Sequence, residues 1–380
     1  MPAAPTLPAL LPTYAPYPFA VVRGEGDRIF DAAGQAYWDF YGGHCVCATG
    51  HGHPAVVKAV AAQAATLLFY SAAASLPVRD AAAEALTAFA GMDSVFFCNS
   101  GAEANENALK VALLLTGRSQ LAAFEGGWHG RTTLALSVTD DPKITQPLAA
   151  HLTPCLRLPF GDLAALAAAD FSGVAAVILE PIQSMAGIRT APKVWFQALR
   201  VRCDASGTLL VFDEVQTGMG RLGTPFAAQF YGVRPDLLTS AKGLASGVPM
   251  GAVLMTGAVA AGLKPGDLGS TFGGGPLASA ALRATLDVIQ GEGLMAQARA
   301  TADRLRLELQ GTAVTEVLGE GLLLGLRCAR AADLKKHLLT ARILVGGASD
   351  PTVLRLMPPL NVSGEALSAL IAAIRSFSLT

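Results

Sequence analysis

The chain has 380 residues, 52% hydrophobic and 15% charged, enough apolar material for a large buried core in two or three closely joined lobes and too much for a disordered chain. A formal net charge of −1, without a long run of Lys or Arg, argues against nucleic acid or an anionic membrane surface as partner. No apolar run reaches the ~18 residues of a membrane span, and prolines stand where a signal peptide would place its basic end, so a cytoplasmic protein acting on small molecules is expected.

Proline-rich residues 1 to about 20 predict an extended arm packed on a neighbour or another lobe. From about residue 54, helical stretches alternate with short β-rich runs at Ser94–Cys98, Gln120–Phe124, Val174–Leu179, Thr208–Phe212 and Asp236–Ser240. That alternation predicts an α/β fold with a mainly parallel central sheet flanked by helices. After about residue 276 the pattern becomes two long helices (Pro276–Gln290 and Gly293–Gln310), strands at Val314–Leu318, Leu322–Arg327 and Val353–Leu356, and a last helix from Ser363, which reads as a smaller C-terminal α+β domain. The division expected is an N-terminal segment 1–48, a large domain 49–275 and a small domain 276–380. Six scattered cysteines without a C-x-x-C pair predict reduced thiols in the core, with neither disulfides nor a metal site.

Three segments carry chemistry. The apolar strand Thr208-Leu209-Leu210-Val211-Phe212 ends abruptly in Asp213-Glu214-Val215-Gln216, placing acids at a strand mouth, where they either face a site or cap a turn. A second apolar strand runs into Ala241-Lys242-Gly243. A strand end in a cleft desolvates a lysine enough for imine chemistry, although a lone lysine is more often a solvated charge. The third is Cys98-Asn99-Ser100-Gly101-Ala102-Glu103-Ala104-Asn105, a small-residue turn between strand and helix whose free N–H groups and dipole suit a phosphate. Both nucleotide signatures, G-x-x-x-x-G-K-[ST] and a first-turn G-x-G-x-x-G, are absent.

Together with Gly50-His51-Gly52-His53-Pro54, Trp128-His129-Gly130-Arg131-Thr132 and Leu354-Arg355-Leu356-Met357-Pro358, these segments resemble the class III (ornithine/acetylornithine-type) aminotransferases of pyridoxal-5′-phosphate (PLP) fold type I over nearly the whole chain. The resemblance implies that Lys242 is the Schiff-base lysine and proton shuttle, and that Asp213 partners the pyridine nitrogen. Gln216 would then bond the phenolic oxygen, with Val215 and Trp128 on the two ring faces. Ser100, Gly101 and Ala102 would hold the phosphate, Thr271 would reach it from the second subunit of a homodimer, and Arg131 would bind the substrate α-carboxylate. The activity implied is ping-pong transfer of an amino group from an ornithine-like or N-acylated donor to 2-oxoglutarate, in arginine or lysine biosynthesis.

Two positions depart from the family. Met185 stands where many relatives carry a glutamate that pairs with the arginine matching Arg355, so Arg355 is expected to stay available to substrate in both half-reactions unless another acid replaces it. His44 stands where relatives often carry tyrosine or an aliphatic residue, and is a candidate reader of the substrate tail or a structural histidine. The alternatives are a 4-aminobutyrate or other ω-aminotransferase, a decarboxylating transaminase, which Arg131 argues against, and a non-catalytic PLP-fold binding protein, which the joint presence of Lys242, Asp213, Gln216 and Thr271 argues against.

Overall fold

The computed structural model describes residues 10, 11, 13 and 17–377, so most of the expected arm over residues 1–20 lies outside the described residues. A seven-stranded sheet forms the centre, in the order Ser94–Cys98, Gly251–Met255, Leu237–Ser240, Leu209–Asp213, Val174–Leu179, Gln120–Phe124, Cys155–Leu158. The last five of these strands pair in parallel, and Gly251–Met255 runs antiparallel to both of its neighbours. Every residue of Val174–Leu179 is buried, as a strand covered by helices on both faces requires.

The helix Gly101–Thr116 lies on this sheet through Ala104, Asn105, Ala108, Leu109 and Ala112, a stripe at three- and four-residue spacing in which alanines allow close approach. The helix Pro276–Gly291, buried on most of its surface, packs against Pro54–Thr66 and Pro77–Ala90 and ties the sheet to the smaller C-terminal unit. That unit is built on a four-stranded sheet ordered Glu316–Glu320, Leu323–Arg327, Val353–Leu356, Gly346–Gly347.

A third sheet is absent from the sequence-based expectation: Val21–Glu25, Arg28–Asp31 and Ala36–Asp39 form an antiparallel meander, which Ile343–Leu344 joins in parallel alongside Trp38 and Asp39. No described helix is long and apolar enough to cross a membrane. All six cysteines are free.

The ends of Ser94–Cys98, Gln120–Phe124, Val174–Leu179, Leu209–Asp213 and Leu237–Ser240 point the same way. Their following loops therefore meet at one edge of the sheet, where open α/β folds bind ligands.

Candidate active site

A cavity of about 520 Å³ opens at that edge. Nine of the residues singled out in the sequence line it: Ser100, Gly101, Ala102, Trp128, Arg131, Asp213, Val215, Gln216 and Lys242.

One end is a helix N-terminus. Ser100 caps Gly101–Thr116 by accepting from the Glu103 N–H at 3.2 Å, and the Glu103 carboxylate returns to the Asn99 N–H at 2.6 Å. A Cβ on Gly101 would stand 3.0 Å from both methyls of Val215, so only glycine leaves this first turn open beside that side chain. Ser100, Gly101 and Ala102 thus present unpaired backbone donors and no bulk, a cradle for an anion.

In the middle, Asp213 is held by a buried network. Its Oδ2 accepts from Asn105 Nδ2 at 2.7 Å and faces His129 Nδ1 at 2.8 Å, and its Oδ1 accepts from the Val215 N–H at 3.1 Å. Asn105 donates also to the His129 carbonyl at 2.7 Å and accepts from the Thr239 hydroxyl at 2.6 Å. His129 Nε2 is buried without a hydrogen-bond partner, which assigns the ring proton to Nδ1, facing the carboxylate. Glu180 adds a second carboxylate, accepting from the Trp128 N–H at 2.8 Å; burial and the neighbouring Asp213 both push its pKa up.

Lys242 follows the strand Leu237–Ser240 in a left-handed conformation, φ 50°. Burial lowers the pKa of its ammonium, and Arg355 adds to the effect against the opposing pull of Cys45, Asp213 and Glu180. A non-glycine residue at positive φ costs energy that local packing must repay, and here it aims the amine at the cavity from a strand end adjacent to that of Asp213. Arg131 lies over Trp128, its guanidinium carbon 5.2 Å from the ring centroid.

Three of the singled-out residues are not in the lining. Arg355 is buried and donates to the Gly347 carbonyl at 2.5 Å and to the Ser184 hydroxyl at 2.9 Å. Burial lowers its pKa. His44 contacts the Tyr41 hydroxyl; burial and the positive charges of Lys242 and Arg355 lower its pKa. It sits in a left-handed turn of four successive residues, Gly42 to Cys45, with φ between 56° and 70°. Thr271 is exposed and outside the cavity, next to Phe272, which is 64% exposed.

The family profile described as aminotransferase class-III matches residues 11–377. The chain belongs to the class III aminotransferases. It is 44% identical over 372 residues to the acetylornithine aminotransferase of Streptomyces coelicolor, covering 96% of this chain and 92% of that one. Likewise it is 41% identical over 373 residues to the acetylornithine aminotransferase of Mycobacterium tuberculosis, covering 96% and 93%. Among solved structures it superposes on the ornithine aminotransferase of Toxoplasma gondii with a TM-score of 0.91 at 30% identity, covering 96% of this chain and 91% of that one. It superposes on the acetylornithine aminotransferase of Elizabethkingia anophelis with a TM-score of 0.84 at 32% identity, covering 96% of both chains.

This class III aminotransferase is therefore a PLP-dependent transaminase of fold type I, and the cavity fits that cofactor. The donor set is the one a phosphorylated pyridine aldehyde needs: an anion cradle kept open at Gly101, a carboxylate whose Oδ1 carries a single hydrogen bond and keeps a lone pair for a ring nitrogen, and a lysine amine whose charge burial disfavours. Sequence reasoning missed Asn105, His129 and Glu180 as cavity residues. Asn105 and His129 lie inside the motifs quoted above; a polar residue on the sheet-facing stripe of an alanine-rich helix was the available signal for Asn105.

Proposed function

We propose that this aminotransferase moves an amino group from an acetylornithine-type donor to 2-oxoglutarate by a ping-pong mechanism, serving arginine biosynthesis. The observation that carries the site assignment is the convergence of Lys242 and a thrice-bonded Asp213 at adjacent strand ends beside the Ser100–Ala102 cradle. The donor class rests on relatives named acetylornithine aminotransferase at 38–44% identity.

Ser100, Gly101 and Ala102 would hold the phosphate, Trp128 and Val215 would enclose the ring, and Gln216 would bond its phenolic oxygen. Bound there, PLP supplies a carbonyl carbon that carries the amino group and a ring that accepts electrons. Asp213 keeps the pyridine nitrogen protonated, oriented by Asn105 and His129. Lys242 would anchor the group, and its free Nζ would hold and move the proton. Arg131 takes the α-carboxylate as a bidentate partner.

Thr271, exposed and outside the cavity, would reach the phosphate held by a second copy in a homodimer. An exposed apolar strip beside it supports this: Leu68 is 63% and Tyr70 53% exposed, and Phe69 contacts Phe272 at 5.1 Å between centroids.

Arg355 hydrogen-bonds only the neutral Gly347 carbonyl and Ser184 hydroxyl, Met185 stands where many relatives have the glutamate that pairs with it, and the Glu180 carboxylate acts on the guanidinium only through space. Its charge is open to a distal carboxylate or acyl oxygen of the substrate in both half-reactions, with His44 and Tyr41 on the tail. Met185→Glu is expected to lower activity on diacids relative to basic donors; an unchanged ratio sinks this part of the reading.

The main test mixes the PLP-loaded enzyme separately with acetylornithine, ornithine, 4-aminobutyrate and glutamate and follows the cofactor absorbance. Rapid conversion by acetylornithine and by glutamate is expected. Conversion by glutamate alone overturns the donor assignment. Lys242→Ala should abolish the covalent attachment of PLP.

A further inference from the structure

Asp39, His51 and Cys47 form a connected row that the transamination chemistry does not use. Asp39, 4% exposed, ends the strand Ala36–Asp39. Its Oδ1 accepts from the N–H groups of Tyr41 at 3.0 Å and Gly42 at 2.8 Å, fixing the entry to the left-handed turn, and its Oδ2 lies 2.8 Å from His51 Nε2. The other ring nitrogen, Nδ1, lies 3.5 Å from the sulfur of Cys47.

The imidazole is clamped. Its backbone exchanges two hydrogen bonds with Gly26, at 2.7 and 2.8 Å, and a Cβ on Gly24 would lie 2.7 Å from both Cβ and Cγ of His51. Of the groups packed on it, Gly24 and Gly26 carry no charge, and the charges acting on it are those of Asp39 and Cys47. The bond from Asp39, then that from Cys47, raise its pKa to about 10, so the ring is a cation at neutral pH. The Cys47 sulfur thus lies within hydrogen-bond distance of an imidazole that Asp39 orients, the Cys–His–Asp row in which a cysteine can serve as nucleophile.

The other five thiols are placed differently. Burial pushes Cys98 and Cys203 up to about 12 and also raises Cys155, and Cys45 and Cys328 are buried. Cys47 is half-buried and follows Val46, which lines the cavity.

We propose that Cys47 is a reactive thiolate, paired with His51 and Asp39, that takes up small disulfides and so closes the cavity wall at Val46 reversibly. Its sulfur attacks one sulfur of the disulfide. The new S–S bond forms as the old one breaks, and the departing thiolate takes the proton of His51. A small free thiol runs the exchange backwards. The adduct places a bulky group one residue from the lining residue Val46.

The test uses the PLP-loaded enzyme and an aromatic disulfide, 5,5′-dithiobis(2-nitrobenzoate), with release of the coloured thiol as readout. One thiol per chain is expected to react in a fast phase whose rate changes less than about threefold between pH 8.5 and 6.5, whereas an unpaired thiol of pKa ~8.5 slows about fifty-fold over that range. Cys47→Ser should remove this phase and retain transamination, and Asp39→Asn should restore an ordinary pH dependence. Oxidised glutathione should add one adduct at Cys47, lower transamination, and release its effect on dithiothreitol treatment. A Cys47 that is silent to the reagent, or that labels with the fifty-fold pH dependence, overturns the reactive thiolate. A full adduct without loss of activity overturns the closure. Because labelling needs no amino donor, these results are independent of which substrate the enzyme uses.

Discussion

Replacing Asn105 with alanine is the sharpest test of how the acid at the centre of the site is held. The side chain is 1% exposed and links three partners: the Asp213 carboxylate, the His129 carbonyl and the Thr239 hydroxyl. The lost bond to a carboxylate is worth ~1.5–3 kcal/mol, and the unpaired Thr239 hydroxyl and His129 carbonyl add ~1–3 kcal/mol each, less whatever local relaxation recovers. A total of about 4 kcal/mol is expected, large for a single substitution. Asp213 keeps two of its three bonds, so the site survives but loosens, and PLP should leave faster on dialysis. Urea unfolding of the PLP-free protein at fixed concentration measures the loss, with Thr239→Val and the double variant completing a cycle. Because Thr239 and Asn105 share one bond, the double variant should cost less than the sum by about 1 kcal/mol. A loss under about 1 kcal/mol, or strict additivity, would refute the network.

Glu214 accepts from the N–H groups of Ala227 and Ala228 and from Thr217, yet burial raises its pKa from 4.5 to about 7. An acid raised on folding binds its proton more tightly in the folded chain, so its contribution to stability declines as pH climbs from about 4.5 to about 7, by at most ~3 kcal/mol. Glu214→Gln should flatten that slope in unfolding free energies measured across this range; parallel slopes for both proteins would count against the buried-acid account. Gly130, at φ 135° with its absent Cβ 2.8 Å from the Cβ of Ala102, should tolerate no side chain: Gly130→Ala is expected to cost ~1–3 kcal/mol and speed cofactor release. An unchanged melting temperature and release rate would show the approach to be looser than described.

Much of the scaffold was legible because short apolar strands announce themselves. Ser94–Cys98, Gln120–Phe124, Val174–Leu179 and Val353–Leu356 run as the sequence predicts, and Ser363 caps the last helix. Thr208–Phe212 is displaced by one residue to Leu209–Asp213, because Asp213 continues the ladder opposite Thr239 while its side chain serves the site. Gly251–Met255 escaped notice: a short apolar run after a glycine and proline stretch has no alternation to mark it, and only pairing on both sides makes it a strand. The N-terminal meander was missed because Val21–Glu25 is mostly exposed and lacks the apolar density of a core strand. Lys242 and Asp213 were visible because each breaks an apolar strand at its end. Asn105, His129 and Glu180 were not, since their meaning lies in meeting Asp213 across 108, 84 and 33 residues of chain.

The parallel pairing of Ile343–Leu344 with Trp38–Asp39 carries a consequence for how the chain comes together. The meander reaches its fourth strand only after some three hundred further residues have been made, a contact of high sequence separation that forms late. Asp39, which opens the left-handed turn and orders His51, belongs to that seam. On a ribosome the large sheet can assemble while this corner waits, so a chain truncated before Ile343 should keep much of its secondary structure, leave the Ala36–Asp39 edge open to foreign strands, and aggregate.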